Sequence, residues 1–205
     1  MQPEFIYFDL GKVLLDFSVE RMCAQVGAVA GISPERVVEA VYGDGLQAAY
    51  ESGQVSSPQF YDGFCRHSGT RPEYDALLRA FCEIFTPKPA MPPLVARLAR
   101  AGCRLGILSN TCEAHWAHCH GQFAFLREHF SVYALSFQIG AMKPAAAIFQ
   151  RAAELAGCRP TEIFYTDDMP GHVAGAQAVG FDAVVFASPE ELTAELGRRG
   201  VRIDD

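Results

Sequence analysis

The sequence predicts a three-layer α/β protein, in which helices cover both faces of a parallel β-sheet and an all-helical segment is inserted after the first strand. The apolar run at residues 5–8 has the composition of a strand buried on both faces. From residue 94 onward, strand-like and helix-like segments alternate, which is typical of a parallel sheet. Residues 18–85 have helical apolar spacing instead, so we expect no strand there.

The inserted segment contains several predicted helices. Apolar residues recur at helical spacing over residues 19–29, 33–42, 57–67 and 73–85. The pairs Ser33-Pro34 and Ser57-Pro58 mark two helix starts, because serine caps a helix and proline fits its first turn. We therefore interpret residues 17–86 as a helical cap domain.

The remaining chain is predicted to form a Rossmann-like core domain, residues 1–16 and 87–205. A proline-rich segment, residues 86–93, is interpreted as a hinge before a helix at 94–101. Further strands are predicted at 103–110, 132–135, 162–166 and 182–186, with helices at 145–156 and 171–179 between them.

Composition and charge restrict the class of protein. Of the 205 residues, 50% are hydrophobic and 20% are charged, which is typical of a globular protein with one core and a small satellite domain. The net charge of −7 disfavours binding to nucleic acid or to an anionic membrane. We expect a monomer or a homodimer that binds a small molecule.

The start of the chain and the cysteine spacing indicate a cytoplasmic protein. No signal-peptide pattern opens the sequence, and no apolar run approaches the ~20 residues of a membrane span. The seven cysteines lack paired spacing, which favours free thiols in a reducing compartment. The same lack of paired spacing argues against a zinc site at the cysteines and histidines of residues 112–120.

Polar side chains follow four of the predicted strands. Asp9 follows the first strand, Ser109-Asn110 end the second, Lys143 lies in the loop after the third, and Asp167-Asp168 follow the fourth. Because open α/β sheets bind ligands beyond the carboxyl ends of their strands, we expect these side chains to converge. Three carboxylates and one lysine carry a local charge of about −2, which Mg²⁺ with its oxygen ligands would offset. Lys143 and Ser109 could then hold phosphate oxygens while a carboxylate attacks phosphorus.

These motifs resemble those of the haloacid dehalogenase (HAD) superfamily. Asp9-Leu10-Gly11, Leu108-Ser109-Asn110, Lys143-Pro144 and Asp167-Asp168 look like its four motifs, in the same order and over nearly the whole chain. The helical insertion lies where the first type of HAD cap belongs. The stretches FDLGKV, LSNT, KP and DD are most similar to the bacterial branch that includes α-glucose-1-phosphate phosphatase.

The resemblance implies a Mg²⁺-dependent phosphatase that hydrolyses a small phosphomonoester, such as a sugar phosphate, through an aspartyl-phosphate. It makes Asp9 the nucleophile and a Mg²⁺ ligand, with the backbone carbonyl of Gly11 as a second ligand. Asp168 is expected to contact the metal directly, and Asp167 directly or through water.

The resemblance also implies which residues bind the phosphorylated metabolite. Ser109 and the Asn110 amide are expected to bind phosphate, with Gly11 in the substrate-facing loop. Lys143 is expected to act in catalysis by holding the nucleophile and the phosphate together.

The sequence departs from the family pattern at Gly11, where phosphatases usually have a second aspartate. That aspartate is the general acid and base, and such catalysis typically contributes about 10²–10⁴-fold. An anomeric phosphate, whose leaving group needs less protonation, is consistent with glycine at this position. We interpret Lys12 as a loop residue that points to solvent. We interpret His172 as a residue that supports the site from behind or belongs to the helix start, and not as a proton donor.

Two alternatives remain open. A metal-independent 2-haloacid dehalogenase needs no leaving-group acid and so tolerates Gly11, but the paired acids Asp167-Asp168 argue for phosphate. The other alternative is a catalytically weak protein that retains phosphate or partner binding.

Overall fold

The computed structural model of the protein describes residues 2–202. The strands, in chain order, are β1 (Phe5–Phe8), β2 (Leu15–Phe17), β3 (Phe85–Pro87), β4 (Leu105–Ser109), β5 (Val132–Leu135), β6 (Ile163–Asp167) and β7 (Asp182–Val185). The α-helices are α1 (Val19–Ala30), α2 (Pro34–Val38), α3 (Leu46–Glu51), α4 (Ser57–Ser68), α5 (Tyr74–Cys82), α6 (Met91–Arg100), α7 (Glu113–Gln122), α8 (Ala124–His129), α9 (Ser136–Ile139), α10 (Ala146–Ala156), α11 (Pro170–Val179) and α12 (Pro189–Arg198). A π-helical turn, Glu39–Gly43, follows α2, and a 3₁₀ turn, Pro160–Glu162, precedes β6.

Five parallel strands form the central sheet, in the order β5-β4-β1-β6-β7. Strand β1 lies in the middle, and its successive side chains alternate between the two faces. Ile6 and Phe8 belong to the hydrophobic core on one face, with α6 and α12. Phe5 and Tyr7 belong to the core on the other face, with α10 and α11. The predicted three-layer α/β fold with a Rossmann-like core is confirmed.

The inserted helices have a hydrophobic cluster of their own, which α1 to α5 enclose. Tyr50 stacks on Phe60 within it, with ring centroids 4.6 Å apart. Ser33 caps α2 as predicted, whereas α4 is capped by Ser56, one residue before the predicted Ser57. The insertion therefore packs as a helical layer rather than as a loop.

The expectation that residues 18–85 contain no strand was wrong at the edge of this segment. Strands β2 and β3 pair antiparallel, with Asp16 opposite Thr86. Each has three residues, too few to show an alternating pattern. Both predicted domain boundaries, 16/17 and 86/87, lie within this pair, and the division into core and cap domains stays a prediction. Residues 1 and 203–205, assigned to the core domain, lie outside the described residues.

Two helices in the second half have prolines in their first turns that the prediction did not assign to a helix. Helix α6 begins at Met91 rather than at residue 94, because its two prolines occupy the first turn, where no backbone N–H is needed. Helix α12 was not predicted, although Ser188 caps it in front of Pro189. The serine–proline signal that marks helix starts in the insertion was therefore also present here.

Helices α3 and α4 of the insertion contact the start of α7, just beyond the sheet. The backbone N–H of Ala114 donates a hydrogen bond of 3.1 Å to the Tyr50 hydroxyl. Ser57 Oγ donates to Glu113 Oε2 at 2.5 Å. These contacts place the insertion over the carboxyl ends of the strands, where ligands bind in open α/β sheets.

Two further observations concern membrane-spanning helices and disulfide bonds. No helix within residues 2–202 is long and apolar enough to cross a bilayer. All seven cysteines are free thiols.

Candidate active site

Lys143 lies at the centre of a charged cluster at the carboxyl ends of β1 and β6. Its Nζ is 3.0 Å from Asp9 Oδ1 and 2.6 Å from Asp167 Oδ2, and its side chain is fully buried. The structure thus brings together three of the side chains predicted from the sequence. Asp9 follows β1 directly and Asp167 ends β6, and these strands are neighbours in the sheet.

Hydrogen bonds at the backbone and at Nζ fix the position of Lys143. Its Nζ also donates to the Leu108 carbonyl at 3.1 Å and to the Tyr165 hydroxyl at 3.0 Å. Its backbone N–H donates to Asn110 Oδ1 at 2.8 Å, and its carbonyl accepts from Asn110 Nδ2 at 3.0 Å. The side chain of Asn110 therefore holds Lys143 in place here, while Ser109 lies buried beside it at the end of β4.

Asp9 is buried, and only one of its carboxylate oxygens is engaged. Its Oδ1 accepts a hydrogen bond from the Leu10 N–H at 2.7 Å and pairs with Lys143. Its Oδ2 accepts no hydrogen bond from the described residues. Burial raises the pKa of Asp9 to about 6, and the charge of Asp167 adds to this, while Lys143 opposes it. A free, partly desolvated carboxylate oxygen is suited to bind a cation or to attack an electrophile.

Asp167 is fully buried and surrounded by donors. It accepts hydrogen bonds from Lys143, the Tyr165 hydroxyl, the Met169 N–H at 2.8 Å and His172 Nδ1 at 3.1 Å. Burial alone would raise the pKa of Asp167, but the hydrogen bond from His172 and the charge and hydrogen bond of Lys143 hold it below its usual range. Asp167 is therefore ionised and anchors the lysine.

Asp168 is half-buried and lies outside this cluster. Among residues 2–202, one group of three side chains could ligate a common metal, namely Asp9, Asp167 and His172, whose ligand atoms lie within 4.8 Å of one another. Burial raises the pKa of Asp168, and the charge of Asp167 adds to this. The metal role expected for Asp168 stays a prediction, and His172 contacts an acid as interpreted from the sequence.

The donor chemistry of the cluster fits a hard divalent cation. Lys143 bridges Asp9 and Asp167, and Asp168, next to Asp167 in the chain, adds a third carboxylate. The remaining negative charge, together with carboxylate and carbonyl oxygens, suits Mg²⁺.

Phe17 fills the space where a side chain at position 11 would lie. A Cβ atom on Gly11 would be 2.8 Å from Phe17 Cε1. Lys12 holds this ring, because its Nζ donates to the Phe17 carbonyl at 2.8 Å and lies 4.7 Å from the ring centroid. Lys12 also has the left-handed backbone (φ 58°) that non-glycine residues rarely adopt. The solvent-pointing interpretation of Lys12 was therefore incomplete.

A cavity of about 90 Å³ lies between the sheet edge and the insertion. The core side is formed by Leu10, Gly11 and residues 109–111, and the insertion contributes Phe17, Gln47 and Glu51 among others. Gln47 and Glu51 were not identified from the sequence, which contains no local signal for them. Tyr165 was also missed, although its place two residues before Asp167 on a strand puts both on one face.

Comparison with known proteins agrees with this geometry. A model of the haloacid dehalogenase-like hydrolase family matches residues 6–180. Phosphatase MT3486 of Mycobacterium tuberculosis (strain CDC 1551 / Oshkosh) is 26% identical over 191 residues, which cover 89% of this chain and 87% of that protein.

Solved structures of the same family share the fold. The HAD family enzyme bt-2542 of Bacteroides thetaiotaomicron, in complex with magnesium and inorganic phosphate, has a TM-score of 0.83 at 23% identity, covering 94% of this chain and 98% of that one. L-2-haloacid dehalogenase from Xanthobacter autotrophicus, with chloropropionic acid covalently bound, has a TM-score of 0.63 at 18% identity, covering 98% and 84%. Because the family match covers most of the chain, the protein belongs to the haloacid dehalogenase-like hydrolases.

Proposed function

We propose that the protein is a Mg²⁺-dependent phosphatase that hydrolyses a small phosphomonoester through an aspartyl-phosphate on Asp9. One observation carries the proposal: the Lys143 ammonium bridges Asp9 Oδ1 and Asp167 Oδ2 at the sheet edge. This bridge orients the Asp9 carboxylate and leaves its Oδ2 without a hydrogen bond from the described residues. That oxygen is the proposed nucleophile.

Four groups are proposed to hold the metal. Asp9, Asp168 and the Gly11 carbonyl would ligate Mg²⁺ directly. Asp167 already accepts four hydrogen-bonding groups, which favours an indirect role through water. When bound, Mg²⁺ supplies the positive charge that lets a phosphate approach three carboxylates.

The reaction uses the residues of this chain in two steps. Asp9 attacks phosphorus, the bond from phosphorus to the leaving oxygen breaks, and the phosphoryl group forms an acyl phosphate, a mixed anhydride, with Asp9. Lys143 and the Ser109 hydroxyl stabilise the phosphoryl oxygens during transfer. Water then attacks phosphorus, releasing inorganic phosphate and restoring the Asp9 carboxylate.

The cavity restricts the leaving group. Its volume of about 90 Å³ is smaller than the roughly 150 Å³ cavity that accommodates benzene. We therefore infer that the insertion moves about the β2–β3 pair to admit larger esters. A sugar phosphate is the finer proposal, supported by the resemblance of its motifs to those of the α-glucose-1-phosphate phosphatase branch.

The relatives support phosphoryl transfer over dehalogenation. The relative from Mycobacterium tuberculosis is named a phosphatase, and bt-2542 was solved with magnesium and inorganic phosphate. A dehalogenase shares the fold as well, so the two reactions must be separated by experiment.

A panel of phosphate esters, assayed with Mg²⁺ and with EDTA, tests the proposal. Phosphate release should require Mg²⁺, stop on chelation and be absent in Asp9→Asn. Halide release from a 2-haloacid in EDTA, without phosphatase activity in Mg²⁺, would refute it and identify a dehalogenase. A folded protein that binds inorganic phosphate but turns over no ester would refute it in favour of a binding protein.

A further inference from the structure

The Asp9 loop cannot supply the general acid of the proposed phosphatase. Position 11 is glycine, and the Phe17 ring occupies the space that a side chain there would need. The ring is held by Lys12, and it lies beside Phe85 with ring centroids 5.8 Å apart. A proton for the leaving group must therefore come from another element that reaches the same cavity.

Glu51 is the one described residue lining the cavity that carries a carboxyl group. It ends α3 of the insertion, opposite Gly11 and Ser109 on the core side of the same cavity. Two other titratable groups line the cavity and are poor candidates. Burial raises the pKa of Tyr42 to about 12, and burial lowers the pKa of His115 to about 4, so neither donates readily at neutral pH.

The backbone around Glu51 is fixed to the core. Ser136 Oγ, beyond the end of β5, donates to the Glu51 carbonyl at 2.6 Å. Two residues later, the backbone of Gly53 approaches Phe137 so closely that a Cβ on Gly53 would lie 2.1 Å from the Phe137 carbonyl oxygen. These contacts hold the end of α3 against the sheet edge, as a residue acting on bound substrate requires.

The side chain of Glu51 is oriented by Gln47, one turn earlier on α3. Gln47 Nε2 donates to Glu51 Oε1 at 2.7 Å. The other amide atom, Gln47 Oε1, is buried and accepts no hydrogen bond from the described residues. A hydroxyl donor on a bound leaving group would satisfy this oxygen.

The environment of Glu51 shifts its pKa in the direction that suits a general acid. Burial raises the pKa of Glu51, whereas the hydrogen bond from Gln47 and the charge of Lys143 oppose the rise. The influence of Lys143 also links Glu51 electrostatically to the charged cluster at Asp9.

We propose that Glu51 is the general acid and base of this phosphatase, supplied by the insertion in place of the missing aspartate. As Asp9 attacks phosphorus and the bond to the leaving oxygen breaks, the Glu51 carboxyl gives its proton to that oxygen. As water attacks the aspartyl-phosphate, the Glu51 carboxylate takes a proton from the water. The proton count closes, and both residues return to their starting states. This inference rests on the proposed phosphatase function.

The test compares Glu51→Gln with the parent protein on two esters in Mg²⁺: 4-nitrophenyl phosphate, whose leaving group needs little protonation, and the alkyl phosphate that the parent hydrolyses fastest. The kcat for the alkyl ester should fall about 10²–10⁴-fold, with a much smaller loss in the rate of 4-nitrophenol release in the first turnover. Because the second step loses its base, phosphorylated protein should accumulate, as intact mass spectrometry would detect. Glu51→Asp keeps the carboxyl and should restore part of the alkyl activity.

Glu113→Gln is the matched control, because Glu113 also lies between insertion and core but outside the cavity. It should leave the ratio of the two rates unchanged. Each ratio comes from one protein preparation, so it does not depend on the folded fraction. Equal losses on both esters in Glu51→Gln, or no loss, would overturn the role of Glu51 while the phosphatase proposal stands. A parent protein that hydrolyses only 4-nitrophenyl phosphate would also overturn the role of Glu51. A parent protein inactive on every ester would refute the phosphatase proposal itself.

Discussion

Adding a side chain at Gly11 should destabilise the protein, although a second aspartate at this position would match the family pattern. A Cβ there would lie 2.8 Å from Phe17 Cε1, about 1 Å inside the usual carbon–carbon contact distance. Overpacking of this kind costs about 1–3 kcal/mol. For a chain of this size that corresponds to a fall in melting temperature of about 2–12 °C.

The assay is thermal unfolding of Gly11→Ala and Gly11→Asp, each made in the parent and in a Phe17→Ala background. Each Gly11 substitution should lower the free energy of unfolding in the parent but hardly change it in the Phe17→Ala background. The coupling energy between positions 11 and 17 should therefore be about 1–3 kcal/mol. Gly121→Ala is the control, because a Cβ on Gly121 meets nothing within 4 Å. It should be neutral or slightly stabilising.

The same clash predicts the effect on activity. Phe17 lines the cavity, so a ring displaced by a residue at position 11 enters the space proposed for substrate. Gly11→Asp should therefore lose activity on all esters alike. Equal stability of Gly11→Ala and Gly121→Ala, or the same loss with and without Phe17, would refute this explanation of the glycine.

Three other predictions concern Asp167, Asp168 and His115. Asp167→Asn should lower the free energy of unfolding by about 3 kcal/mol, because the buried Lys143 loses one of its partners; an unchanged urea midpoint would contradict its anchoring role. Asp168→Asn should change stability by less than about 0.5 kcal/mol yet weaken Mg²⁺ binding in calorimetric titrations, and unchanged Mg²⁺ affinity would refute its metal role. Burial lowers the pKa of His115 from 6.5 to about 4, so the unfolded chain binds a proton there that the folded protein does not. The His115 contribution alone should therefore lower stability by about 3 kcal/mol as the pH drops from 6.5 to 4, whereas the raised pKa of Asp9 acts in the opposite direction over this range. His115→Gln should reduce this pH dependence in urea denaturation, and an identical dependence in parent and variant would exclude His115 as its source.

Much of the fold was predictable because its signals are local. The continuous apolar run Phe5–Phe8 predicts a central strand, and polar residues directly after strands predict a common site at the sheet edge. Asp9 and Asp167 do meet there, and Lys143 Nζ lies 3.0 Å from the first and 2.6 Å from the second.

The features that were missed depend on contacts between distant segments. Strands β2 and β3 are too short to show an alternating pattern. The second also contains Pro87, and proline is uncommon in strands. Glu51 lies in an ordinary helical turn. Nothing near it in the chain indicates that its carbonyl accepts a hydrogen bond from Ser136 at the sheet edge. Phe17 lies against Gly11 only because of the fold of the loop between them. The sequence therefore showed that an acid is missing at position 11, but not that the Phe17 ring occupies the space.

The most direct test of the central claim is to locate the phosphoryl group during turnover. The parent protein and the Asp9→Asn variant would be mixed with 4-nitrophenyl phosphate and Mg²⁺, quenched in acid within the first turnover, and analysed by peptide mass spectrometry. We expect one phosphoryl group on the parent, on the peptide that contains Asp9 and at that residue, and none on the variant. Phosphate release by the parent without labelling of Asp9, or undiminished turnover by Asp9→Asn, would contradict the account.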